Sequence, residues 1–183
     1  MIIANSVKLF SQKGYDAVGI QEITEKSGIT KPTLYHYFGS KKGLLDAIIE
    51  KYGTVLYAVV CEKADYKRDI TKNLNELAFA IMNFANENVD FYRMQLAMVF
   101  SHPENEANKA VGTMNARIFK VIEKMFEEAS KDHGNMKGRH KEYAATFIGM
   151  INTYISMALN ANMVPDQKMI YKAVHQFMHG IFS

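Results

Sequence analysis

The 183 residues are 48% hydrophobic and carry a net charge of only +3, which is enough chain for a small and a larger helical unit but leaves no room for a second domain of enzyme size. A single cysteine, Cys61, excludes an internal disulfide, and with no charged-then-apolar leader and no apolar run of about eighteen residues the expectation is a cytoplasmic protein without a membrane partner. At so modest a charge, any attraction for a polyanion has to come from a local basic window.

In chain order, Met1-Ile2-Ile3 already lie inside a first helix. Ile20 and Ile23 share one face of a short second helix, Gly28 supplies the left-handed residue that ends it, and Thr30 caps a third. Pro32 falls in the first turn of that third helix, where its missing N–H does no harm. Leu34 and Phe38, four apart, face inward and leave Lys31, Thr33, Tyr35, His36 and Tyr37 to point elsewhere. Ser40 caps the next helix, whose first N–H groups form a phosphate site together with Lys41. Between Glu25 and Asp46 there is no carboxylate, whereas Lys26, Lys31, Lys41 and Lys42 fall in that window. An ordinary solvated lysine cluster is the alternative, but lysines, glycine turn and two spaced short helices together point to a DNA-reading tip.

The pattern stays helical beyond residue 45. Leu44, Ile48, Tyr52 and Leu56 carry one stripe through a connecting helix over about 40–60, which ends near the charged segment 61–69, the expected domain seam. Leu74, Leu77, Ile81 and Phe84 mark a fifth helix, and Phe91 to Phe100 a sixth that His102-Pro103 terminates. Met114, Ile118, Val121, Met125 and Ala129 stripe a seventh, which ends before the loop 132–138. The eighth, near Lys141 to Asn160, is apolar almost all round, which implies a partner surface. The ninth follows Pro165-Asp166 and repeats apolar residues at Ile170, Val174, Phe177 or Met178, and Ile181. A four-helix dimer interface built from the last two helices would then include Phe147, Ile151, Ile155, Val174 and Phe177.

Leu9-Phe10, Lys13-Gly14-Tyr15, Ile20 to Ile23, Ser27 to Lys31, Thr33 to Phe38 and Ser40-Lys41-Lys42-Gly43-Leu44-Leu45 resemble the N-terminal domain of the TetR family of bacterial transcription regulators. The resemblance covers roughly the first fifty residues. It implies an all-α homodimer of about nine helices, with a three-helix helix-turn-helix DNA-binding domain (1–45) and a helical effector-binding and dimerisation domain (46–183). By position it implies base reading by Gln21, Lys31, Pro32 and Tyr35, joined by the exposed His36. Phosphate contacts fall to Thr33, Tyr37 and Lys41, with Ser40 and Lys42 beside them. Two departures stand out: no short basic arm precedes the first helix, and Val18-Gly19 stand where the family often places a hydroxyl.

All eleven methionines other than Met1 lie beyond residue 81, and a Met-rich helical body can re-pack around apolar or aromatic shapes. Phe79, Met82, Met98, Met150 and Tyr154 are the candidate effector-pocket residues, with ordinary Met-rich core as the plain alternative. Asn152, Thr153 and Ser156 interrupt the eighth helix with polar groups that orient an effector or bond across the dimer. His175 and His179, four apart, have chelating spacing but no third ligand nearby, so no metal is expected, and neither is a cofactor. Cys61 reads as an inert thiol. With no nucleophile elbow, phosphate loop or paired carboxylates, the chain is not expected to be an enzyme. The expected function is a ligand-responsive repressor on a double-stranded DNA operator. The alternative is a dimeric sensor acting through protein partners, against which the lysines of the tip argue.

Overall fold

The computed structural model describes residues 1–161, 163, 164 and 166–180. The described secondary structure is helical throughout. The helices are α1 (Ile2–Lys13), α2 (Ile20–Ser27), α3 (Lys31–Phe38), α4 (Lys41–Lys63), α5 (Ile70–Glu87), α6 (Val89–Val99), α7 (Glu106–Asp132), α8 (His140–Asn160) and α9 (Gln167–His179), with one 3-10 turn at Gly134–Met136. Helix α7 begins a full two turns before the Met114 stripe, because Ala107 and Val111, both buried, continue that stripe backwards. Pro165 and Ile181, expected at the ends of the ninth helix, lie outside the described residues.

The chain forms two compact units. One comprises Met1–Val55 with Asn88–Asn115, the other Leu56–Glu87 with the chain from Ala116 onward. The first unit is discontinuous because α1 packs on α6. Ser11 Oγ donates to Asp90 Oδ1 at 2.8 Å, and Val7, Leu9, Phe10, Phe91, Met94 and Met98 are all buried. Its core continues through Val18, Ile23, Leu34, Leu44, Leu45 and Ile48, each fully buried. Asn108 secures the end of α6: its Nδ2 donates to the carbonyls of Met98, Val99 and Ser101 at 3.0–3.1 Å, satisfying groups that a helix terminus leaves open.

In the second unit α5 packs against α8 and α9, over a core of Leu74, Leu77, Phe126, Phe147, Ile151, Ile155, Ile170 and Val174. Phe177 closes an aromatic cluster, its ring 5.4 Å from Phe147 and 6.1 Å from Phe126. Asn73 staples the α4–α5 loop, donating to the carbonyls of Lys63 and Asp65 and accepting from Lys67 N–H. Phe147, Ile151, Ile155 and Val174 are at most 1% exposed in a single chain, and Phe177 points into the same cluster. Phe147, Ile151, Ile155 and Val174 are thus covered by the unit's own helices, while Phe177 stays half-buried, as do Ile148, Met150 and Tyr154. Along the outward side of α8, Ala145, Gly149 and Thr153 are exposed and are followed one turn later by the exposed Met157.

Two glycines set the geometry of the first unit. Gly28, at φ +63 and ψ +34, ends α2, and Ile29 N–H reaches back to Thr24 O at 3.0 Å. Gly43, one helical turn into α4, lies so close to the end of α3 that a Cβ there would sit 1.9 Å from the Phe38 carbonyl oxygen. A Cβ at Gly28 meets nothing within 4 Å, so Gly28→Ala incurs only the left-handed backbone cost of about 1–2 kcal/mol. Gly43→Ala forces the backbones of α3 and α4 away from each other and is expected at the severe end for single substitutions, about 4 kcal/mol or more. Urea unfolding of the two variants side by side measures the difference, and equal midpoints would remove the close approach as a constraint.

Candidate nucleic-acid interface

Helices α2 and α3 are short, eight residues each, and isolated helices of that length are unstable in water. They persist because their ends are satisfied and one side of each is anchored. Thr30 Oγ1 accepts from Thr33 N–H at 3.3 Å and shares a 2.8 Å hydrogen bond with the Thr33 hydroxyl, while Pro32 occupies the first turn. Leu34 is fully buried and Phe38 half-buried, as the four-residue spacing requires. The opposite side carries Lys31, Pro32, Tyr35, His36 and Tyr37, all exposed, with the rings of His36 and Tyr37 edge to face at 5.4 Å. This is an outward face of donors and rings on a helix rigidly seated below.

The flanking groups are more constrained than the face itself. Gln21 Nε2 donates along its own helix to Glu25 Oε1 at 2.9 Å. Thr33 is half-buried and held by Thr30. Ser40 Oγ accepts from Gly43 N–H at 2.9 Å, capping α4 as its position suggests. Lys42 is paired with Asp46 at 2.5 Å, an exposed pair that leaves its ammonium partly neutralised. Lys31 makes no ion pair among the described residues, so α3 carries its positive charge uncompensated.

Lys41 is the least typical of the set. Its ammonium lies 4.2 Å above the Tyr15 ring, in a half-buried position where desolvation lowers its pKa while Asp16 and Glu106 pull the other way. The Tyr15 hydroxyl in turn donates to a carboxylate oxygen of Glu106, the first residue of α7. Burial first, then the Glu106 hydrogen bond, push that phenol well above its ordinary value. Asn105 Nδ2 reaches Asp16 Oδ2 at 3.5 Å beside it. Lys41, Tyr15 and Glu106 thus form one chain of contacts from the N-terminus of α4 to that of α7. Glu106 and Asn105 stand about ninety residues from their partners, and no local sequence pattern announces them.

Two of the candidate effector residues line separate clefts. Phe79 lines a cleft of ≈340 Å³ in the second unit with Asn75, Gln167 and Ile170. Met98 lines a ≈280 Å³ cleft in the first unit with Phe10, Tyr15 and Met94. Met82 is fully buried, whereas Met150 and Tyr154 are half-buried on α8. The rings of His175 and His179, both exposed on α9, lie 4.4 Å apart with their planes tilted by 38°, and among the described residues no group of three metal-ligating side chains gathers.

Residues 2–48 match the family described as bacterial regulatory proteins, tetR family. Over its whole length the chain is 23% identical to the HTH-type transcriptional activator FasR of Mycolicibacterium smegmatis, covering 81% of that protein. Among solved structures it superposes on a putative fatty acid metabolism regulator of Clostridium perfringens with a TM-score of 0.87 at 18% identity, covering 100% of this chain and 98% of that one. It also superposes on the transcriptional regulator FadR of Bacillus subtilis, solved in complex with stearoyl-CoA, with a TM-score of 0.81 at 15% identity, covering 98% and 97%.

The Tyr15–Glu106 contact carries a stability prediction. Tyr15→Phe removes a donor to a charged acceptor in a largely buried place and is expected to cost about 1.5–3 kcal/mol. Glu106→Gln, which still offers an acceptor, is expected to cost less. Urea titration of both variants checks the order, and a Tyr15→Phe midpoint equal to the parent chain contradicts it.

Proposed function

We propose that this chain, which belongs to the TetR family of bacterial transcriptional regulators, is an effector-released repressor that reads a palindromic operator through α3 as a homodimer. DNA binding rests above all on one observation: the outward face of α3 presents Lys31, Pro32, Tyr35 and His36, in a stretch that contains no carboxylate between Glu25 and Asp46. A helix so exposed fits the major groove, where lysine pairs with guanine edges and apolar atoms meet thymine methyl groups. Tyr37, Ser40, Lys41 and the first N–H groups of α4 grip the adjacent phosphates. Two such helices in a symmetric dimer read half-sites about 34–36 Å apart, or a multiple of that spacing. The protein works in the cytoplasm, and we assign it no catalytic activity and no cofactor.

The effector is a small, largely apolar molecule. The Met-rich helices accommodate such a shape, and the likeness to regulators of fatty acid metabolism, one of them solved with stearoyl-CoA, supports a long acyl chain. An effector releases DNA only by binding the released form more tightly, so bound operator weakens effector binding by the same factor. Selection of bound fragments from random DNA, repeated with stearoyl-CoA present, tests both halves. Enrichment of a palindrome that is lost with the acyl-CoA is the expected result, and failure to enrich any sequence would overturn DNA reading.

Within that reading, Lys31→Ala and Tyr35→Ala are expected to cost on the order of 1–3 kcal/mol against the selected operator while leaving the fold intact. Lys41→Ala is expected to weaken all sequences about equally and lower the salt slope by about one. Competition binding at several salt concentrations separates the two behaviours.

Dimerisation is assigned to the outward side of α8, where Ala145, Gly149 and Thr153 follow one another at helical spacing and a Cβ on Gly149 meets nothing within 4 Å. Small residues let two helices approach closely. Gly149→Arg is expected to yield folded monomers with operator affinity lost. Ile151→Glu, by contrast, places a carboxylate in the unit's own core and is expected to unfold it. Sedimentation and circular dichroism on both variants distinguish these outcomes, and a dimeric Gly149→Arg chain removes α8 from the interface.

A further inference from the structure

Helix α6 has two kinds of buried surface. Met94, Ala97 and Met98 line the cleft against Phe10 and Tyr15. Beside them Phe91 stacks on Tyr52 of α4 at 4.8 Å, with the planes 18° apart. Gln95 follows Phe91 by four residues, so its side chain leaves the helix over the same buried stripe as Phe91. It is 4% exposed, and its buried Oε1 finds no hydrogen-bond donor among the described residues. Methionine or leucine would fill this position without stranding a polar atom, and buried acceptors are almost always satisfied in folded proteins.

We propose that Gln95 is the polar anchor of the effector site, its Oε1 accepting a hydrogen bond from an N–H or O–H of an otherwise apolar ligand. This rests on the reading of the chain as effector-responsive and adds what that effector must carry. Apolar walls alone accept any chain of suitable length and discriminate weakly, whereas a buried acceptor rejects an isostere that lacks the donor, because the acceptor then stays unpaired. The place also suits regulation. Gln95 belongs to the compact unit that contains α3, and its helix holds α1 through Met94 and Met98 and through Asp90, which accepts from Ser11. A ligand drawing on Gln95 pulls on the helix against which the reading head is packed.

The test uses two probes of matched shape, N-methyldodecanamide, which carries an N–H, and methyl dodecanoate, which has an oxygen in its place. Both are titrated into the full-length chain and its Gln95→Met variant, with thermal melts of each protein without ligand. The expected result is that the parent chain binds the amide at least tenfold more tightly than the ester. Gln95→Met is expected to bind the two equally and to melt no lower than the parent. Equal binding of both probes by the parent chain overturns the role of Gln95 alone, as does discrimination that survives in Gln95→Met. A lower melting temperature for Gln95→Met also overturns it, because the amide is then satisfied in the free protein by a water or a neighbouring group. Binding of neither probe to the parent chain overturns the acyl-effector reading itself.

Discussion

The seating of α3 depends on how closely its last carbonyl can approach α4. Gly39, at φ +70, turns the chain so tightly that Ser40 N–H bonds back to Phe38 O at 2.8 Å, and the same oxygen then lies where any side chain at position 43 would begin. The reading helix and the helix that follows are therefore fixed at a distance set by backbone atoms, which do not change rotamer. Leu34, Leu44, Leu45 and Ile48 are fully buried around this corner. An exposed face is useful for recognition only if its supporting side cannot shift, and here the support is steric and not adjustable.

Charge is distributed by the same logic of division. Lys42 spends its charge on Asp46, Lys13 on Glu22 at 2.5 Å, and Lys41 rests on an aromatic ring under the influence of two carboxylates. Lys31, on the reading helix itself, is left without a compensating carboxylate among the described residues. The basic window of the sequence is thus not a uniform patch. Its uncompensated charge includes the ammonium of Lys31 on α3, and with a net charge of +3 the chain as a whole gives little long-range attraction.

Much of the fold is written in local pattern. The glycine at 28, the cap at Thr30, the proline at 32 and the stripes through α4, α5 and α9 each depend on residues within a turn or two, and the helices form where those signals stand. The faces of α8 were harder to read, because Phe147, Ile151 and Ile155 look the same whether a neighbouring helix or a second protomer covers them. Periodicity reports that a surface is buried and not what buries it. The contacts that fix Lys41 were invisible for a related reason: Tyr15 and Glu106 are ninety-one positions apart, and only the packing of α1 on α6 brings their segments together. Gln95 gave no warning either, since one glutamine on an apolar stripe reads as tolerated noise until its oxygen is found without a donor.

The discontinuity of the first unit has a consequence for how the chain is made. Synthesis proceeds from the N-terminus, and the segment up to Val55 leaves the ribosome with α1 able to pack on α2 but not yet on α6, which comes more than seventy positions later. Closing that long loop carries an entropic cost that local helix formation does not offset. The head is therefore completed only after α5 has been synthesised, and a nascent chain cut short before Asn115 carries an unsheltered apolar face, a natural ligand for chaperones and a liability for isolated-domain expression.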